Sequence, residues 1–209
     1  VRSNRRRIGG IVLAGLLAVL AGRAVFAAAD KGSAADFERA LAAPPEVLAR
    51  NYLTASEGLK WTELAKQGAT IINVTPDGEQ QTINPANVSM YVARYQAALK
   101  TYTKAIEKRG FRRLGRVYKT EISPDCGAFG FTPGNTEIVQ DGFKIVLTHG
   151  SFKGDQAFRG VVVESVLYVR HLIDRRMRLP GRVSEGHIEL ALARTGCSLT
   201  LTGAVTAKR

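Results

Sequence analysis

Residues 142–170 read GFKIVLTHGSFKGDQAFRGVVVESVLYVR, and their rhythm decides the fold. Phe143, Ile145 and Leu147 alternate with Lys144, Val146 and Thr148. Gly142 to His149 is therefore expected as a strand with one face inward, because side chains alternate sides along an extended chain. Gly150 to Gly160 reads as a polar loop. Beyond it the pattern predicts one long strand, with Val161, Val163, Leu167 and Val169 on one face and Glu164, Tyr168 and Arg170 sharing the other with Val162 and Val166.

The same period of two extends outward from this stretch. Upstream, Val117 to Ile122 predicts a first strand, a Pro124-Asp125 turn delivers Cys126, and Gly127 to Asn135, rich in Gly and Phe, reads as a loop. Downstream, His187, Glu189 and Ala191 oppose Ile188, Leu190 and Leu192, and Leu199 and Leu201 alternate with Thr200 and Thr202 beside Cys197. Four or five strands at this spacing predict an antiparallel β meander or a small barrel over residues 116–209.

Residues 30–115 follow a helical rhythm instead. Asp36 is the expected N-cap of a short helix with Phe37, Ala40 and Leu41 inward. Pro44-Pro45 ends it, and Pro45 opens a second helix from Glu46 to Leu53. Trp61, Leu64 and Ala65 suggest a third that stops at Gly68. Ala69 to Thr75 and Gln80 to Ile83 flank Pro76-Asp77-Gly78 and predict a short hairpin. The clearest helix is Val88 to Arg109, between Asn87 and Gly110. Its apolar stripe carries Tyr91, Tyr95 and Tyr102, expected to pack on a sheet and not to offer a stacking platform. The fold class is thus α+β: N-terminal helices, one of them long and amphipathic, followed by a disulfide-closed antiparallel β part.

The disulfide follows from compartment. Residues 1–29 have the parts of a secretory signal peptide: Arg5-Arg6-Arg7, an apolar centre from Ile8 to Leu20, and small residues around Ala27 and Ala29 for cleavage. The apolar run is short of the ~20 residues that span a bilayer. The arginines also resemble a twin-arginine signal, with Asn4 where Ser or Thr is usual. The mature protein is expected to be periplasmic or secreted. There, two cysteines without Cys-x-x-Cys spacing, Cys126 and Cys197, predict a structural bridge.

The formal charge is +12; removal of Arg2, Arg5, Arg6, Arg7 and Arg23 with the leader leaves 25 basic against 18 acidic residues, or +7. That balance favours encounter with anionic surfaces. No specific nucleic-acid partner is expected. The densest polar cluster is Arg170, His171, Arg175, Arg176, Arg178 and Arg182, interleaved with Met177 and Leu179, and expected as an exposed connection after the longest strand. Arginine forks suit carboxylate and phosphate, so Arg170, Arg175, Arg176, Arg178 and Arg182 are the candidate anion-contacting residues.

Catalytic signatures are not evident. The three histidines His149, His171 and His187 lack metal-ligand spacing, and no Gly-x-Ser-x-Gly or phosphate-cradling loop occurs. Neither cofactor nor metal is expected. The leading expectation is a non-enzymatic, exported, envelope-associated protein that holds a small apolar ligand or meets an anionic lipid surface, with membrane contact peripheral at most. The competing expectations are an enzyme whose His149, His171, Glu164 and Glu189 converge in one pocket, and a structural interaction module.

Overall fold

The computed structural model describes residues 33–74, 80–171, 173–174 and 177–204. The leader, the Pro76-Asp77-Gly78 turn, and Arg175 and Arg176 lie outside the described residues. Helix α1 (Ala34–Ala42) is capped by Ser33, whose hydroxyl accepts from the Asp36 amide while the Asp36 carboxylate accepts from the Ser33 amide. Asp36 is thus the third residue of a capping box and not the N-cap. These hydrogen bonds from Ser33 hold the Asp36 carboxyl below its usual range.

Helix α2 (Pro45–Lys66) is a single 22-residue element, where the sequence suggested two short helices. It continues through Gly58, an unfavourable helix residue, because the Tyr95 ring occupies the space where a Cβ would stand. Strands β1 (Ile71–Val74) and β2 (Gln80–Ile83) form the expected hairpin. Helix α3 (Val88–Arg109) has the expected bounds. Its tyrosine stripe packs mainly on α2, and Tyr102 also reaches the core that the helices share with the barrel wall. Burial there pushes the Tyr95 and Tyr102 phenols up. Asn87 sits at the cap position, but its side chain accepts from the Asn84 amide and donates to the Thr82 carbonyl, tying the helix start to β2.

Eight strands follow: β3 (Arg116–Ile122), β4 (Gly134–Asp141), β5 (Lys144–His149), β6 (Phe158–Val163), β7 (Val166–His171), β8 (Arg178–Ser184), β9 (His187–Ala191) and β10 (Ser198–Ala204). Each pairs antiparallel with its neighbour, and β10 pairs with β3, so the sheet is a closed barrel and not an open meander. Three sequence expectations are corrected. The part of the chain read as loop up to Asn135 already contains the start of β4. The single long strand is the hairpin β6–β7, which turns at Glu164 with a left-handed φ of 55°. Consequently Val161 and Val163 share the outer face with Tyr168, while Val162, Leu167 and Val169 point inward. The arginine-rich connection is in part a strand, β8.

The Cys126–Cys197 disulfide is present, with Cα atoms 4.5 Å apart. Cys126 lies in the 3-10 turn Pro124–Phe129 after β3, and Cys197 immediately precedes β10. The bridge therefore clasps the two strands whose pairing closes the barrel. The Ser123 amide donates to the Ser198 carbonyl, and the Ser123 hydroxyl accepts from the Ser198 amide at 2.9 Å and donates to the Gly196 carbonyl at 3.0 Å, so the seam is hydrogen-bonded as well as covalent.

The barrel interior is a packed core. Ile138, Leu147, Phe158, Leu167, Leu179, Ile188, Leu190 and Leu199 are each 2% exposed or less and in mutual contact. Eight strands leave room for filling side chains or one small ligand, and these residues take the first option. Outward positions such as Lys119, Glu137, Lys144, Arg182 and Glu189 are polar and exposed. Membrane-spanning barrels show the reverse pattern, with strands of about 9–11 residues; these run from 5 to 8. Among the described residues, no helix is long and apolar enough to cross a membrane.

The helices lie along one side of the barrel. Leu48, Ala49 and Tyr52 of α2 and Ala105 and Ile106 of α3 share a core with Val161, Val163, Tyr168 and Phe143. At the β6–β7 turn, Arg109 pairs with Glu164 at 2.8 Å and also donates to the Ala43 carbonyl. Near the other end of β7, Arg170 pairs with Glu57 of α2. From Pro45 to Glu57 the helix rises ~18 Å, and the six residues from Glu164 to Arg170 rise ~20 Å. The matching lengths set α2 parallel to β7.

Candidate functional site

Strand polarity gives the barrel two unlike rims. One carries tight turns at residues 142–143, 164–165 and 185–186. The other carries all the long connections, at 123–133, 150–157, 172–177 and 192–197, together with the disulfide. Loops on a rigid scaffold are where binding residues usually gather, and the notable buried polar groups also sit at this rim.

His149 ends β5 with its ring inward and 1% exposed. Nε2 lies 2.7 Å from the Thr132 carbonyl, which can only accept, so Nε2 carries the proton. In the neutral ring Nδ1 then accepts from the Thr136 hydroxyl at 2.8 Å, and the Thr136 oxygen accepts from Thr120 at 2.6 Å. Thr136 and His149 are cross-strand partners, so the register itself assembles this chain. Its ends are a backbone carbonyl and a strand hydroxyl, and both ring nitrogens of the histidine are used, Nε2 tying the β3–β4 connection to the barrel. We expect Thr136→Val, which keeps the shape but removes the hydroxyl, to cost about 1–3 kcal/mol by leaving His149 Nδ1 and Thr120 without their partner. A urea titration checks this; an unchanged midpoint would contradict the assignment.

His171 ends β7, 3% exposed, opposite Phe158. Its Nδ1 accepts from the Asp174 amide at 2.9 Å, which places the neutral ring's proton on Nε2. Nε2 has no hydrogen-bonding partner. It lies among aromatic rings: Phe158 at 5.3 Å and Phe152 at 5.8 Å, both near perpendicular to the imidazole. An N–H directed at a ring face gains a weak interaction that softens its burial. Phe131 stacks on Phe152 and Phe158 and reaches His149, so these five rings plug the long-loop end of the barrel.

The four groups whose convergence would mark an enzyme are not together. Glu164 is at the opposite rim with Arg109. Glu189 pairs with His187 at 3.2 Å on the solvated outer wall. Among the described residues, no group of three His, Cys, Asp or Glu is placed to hold a metal ion. An open groove of about 390 Å³ lies outside β4 and β5, lined by Thr132, Asn135, Glu137, Thr148, His149 and Lys153. Its mixed charge and polar lining fit neither an apolar ligand nor a dedicated anion.

The candidate arginines divide by position. Arg170 faces the helices, its side chain 12% exposed, and its guanidinium meets Glu57. Arg178 and Arg182 are exposed on the outer face of β8. Register brings Arg159, Arg170 and Arg178 directly opposite one another across β6, β7 and β8. Arg159, exposed at one end of this row, was missed by sequence reading; its only signal is the pairing register, invisible until the β6–β7 turn is known.

These features define a class: a disulfide-clasped, eight-stranded barrel with a filled interior, a helical layer along one wall, and a positively charged row fixed by strand register. No family model, curated protein or solved structure matches the chain.

Proposed function

We propose that this is an exported, non-enzymatic protein of the cell envelope that docks peripherally on an anionic lipid surface. The observation that carries this reading is the set of exposed arginines that strand register places on the outer wall, Arg159 on β6 and Arg178 and Arg182 on β8. The sheet holds the Arg159 and Arg178 backbones two strands, about 10 Å, apart, on either side of the Arg170–Glu57 pair, and guanidinium forks suit phosphate oxygens. The filled interior weighs against the alternative of an apolar ligand inside the barrel. The leader sequence, the net positive charge and a bridge suited to an oxidising compartment support the envelope location.

The arginines of the β7–β8 connection and β8 give the test. Replacing Arg175, Arg176 and Arg178 together with glutamine is expected to weaken co-sedimentation with phosphatidylglycerol vesicles at least tenfold, since each basic residue near such a surface contributes about 1 kcal/mol. Unchanged binding by the triple variant would remove this reading.

A further inference from the structure

We infer that the groove outside β4 and β5 binds a small zwitterion, a ligand whose ammonium faces Glu137 and whose carboxylate or phosphate faces Lys153. The site is separate from the arginines of the lipid reading, which stand on β6 and β8. Strand register builds its floor. Glu137 of β4 lies directly opposite Val117 of β3 and Thr148 of β5, so the three side chains stand about 5 Å apart across the sheet. Glu137 alternates with buried Thr136 and Ile138, and Thr148 with buried Leu147 and His149, which turns both outward. Asn135 is on the same face, nearer the long-loop rim.

The walls come from the β3–β4 and β5–β6 connections, and the buried core fixes both. On one side, His149 Nε2 donates to the Thr132 carbonyl and holds that residue in place. On the other, the Phe152 amide donates to the His149 carbonyl at 2.8 Å and the His149 amide to the Phe152 carbonyl at 3.2 Å. The Phe152 ring packs on Phe131 and Phe158, which sets where Lys153 leaves the barrel. The walls approach each other at Gly150, where a Cβ would stand 3.6 Å from Thr132 Oγ1. The buried histidine thus gives the groove a fixed shape, and a preformed site spends less on ordering when it binds.

Charge complementarity names the occupant. Among the described residues, the side chains of Thr132, Asn135, Glu137, Thr148 and Lys153 make no hydrogen bond or ion pair within the protein. Glu137 and Lys153 line one groove yet do not meet, whereas Lys119 and Glu121 on neighbouring β3 do. A ligand with a single charge satisfies one of these groups and is repelled by the other; a zwitterion satisfies both with charge-assisted hydrogen bonds. The Asn135 amide and the two threonine hydroxyls donate and accept, which fits a polar body between the charged ends. The volume of about 390 Å³ is at the small end for ligand sites. None of the lining residues is Phe, Tyr or Trp, which weighs against a flat ligand that stacks.

Diglycine and phosphoethanolamine are the probes, each with one ammonium and one anionic end. Titrated into isotope-labelled protein, at least one should shift the backbone amides of residues 132–137 and 148–153 saturably, with a Kd of about 1 mM. Tighter binding of phosphoethanolamine would assign the anionic end to phosphate, as in a lipid headgroup; tighter binding of diglycine would assign it to carboxylate, as in an amino acid or peptide. Glu137→Gln and Lys153→Gln should each weaken binding about fivefold, the scale of an exposed charge pair. Acetylating the amine of the probe should weaken its binding to the wild type equally but should weaken binding to Glu137→Gln no further. Both side chains are exposed, so the variants should melt with the wild type. No saturable shift with either probe would overturn the proposal, as would equal binding by wild type and both variants, or glycerol binding as tightly as the zwitterions. None of these readouts uses vesicles, so the lipid reading stands or falls separately.

Discussion

Replacing Cys126 and Cys197 with alanine, or reducing the bridge, is expected to lower the stability by about 4 kcal/mol, the chain-entropy value for a closed loop of this length. The two sulfurs join positions 71 residues apart in sequence, so the reduced unfolded chain gains much freedom that the oxidised one lacks. The site adds a structural reason. The bridge stands where β10 closes on β3, and an eight-stranded barrel whose closing ladder loosens acquires two open edges. Guanidinium titrations with and without reductant should show a lower midpoint and a steeper denaturant dependence, because the uncrosslinked chain exposes more surface when unfolded. A loss below about 1 kcal/mol would show that the ladder, with the Ser123 and Ser198 hydrogen bonds, closes the barrel unaided. Two free thiols in the native protein would refute the clasp altogether.

Phe158→Ala should be the most damaging single truncation, at about 3–5 kcal/mol. Phe158 has no exposed surface, starts β6, and touches Phe131, Phe152 and His171. Its removal leaves a cavity at the one place where three rings and two histidines meet. It also exposes the unpartnered Nε2 of His171 to whatever fills the space. Domains of this kind are stable by about 5–15 kcal/mol, so the variant should unfold near the growth temperature or express poorly. Phe158→Leu keeps most of the volume and should cost less than half as much. Equal losses for the two would mean the rings are not packed as described.

What could be read from the chain, and what could not, follows from how strongly each element marks itself. Val88–Arg109 was legible to the residue because its stripe repeats over six turns between Asn87 and Gly110. The disulfide needed only a compartment and a count. Strand β4 was hidden because one of its inward residues is Thr136, polar and buried through a hydrogen bond to His149 that no local pattern announces. Strand β8 was hidden by Pro180 and Gly181, which read as a loop. Gly181 is required there because a Cβ would collide with the Glu189 carbonyl of β9, and Pro180 stands on the outer face. The β6–β7 turn, at Glu164-Ser165, has neither Gly, Pro nor Asn to signal it. That one missing turn inverted the faces of Val161 and Val163 and concealed the opposition of Arg159, Arg170 and Arg178. The candidate arginines were found by composition alone. Their separation into one bound by Glu57 and others exposed on the wall depended on a contact between distant segments.

The central claim, docking on an anionic lipid surface, is tested most directly by co-sedimenting the purified protein with vesicles of graded phosphatidylglycerol content. The account predicts negligible binding to pure phosphatidylcholine, binding that rises steeply with the anionic fraction, and marked weakening at 1 M salt, where the screening length falls to about 3 Å. Binding that is absent at every composition, or that is the same for neutral and anionic vesicles, would contradict it.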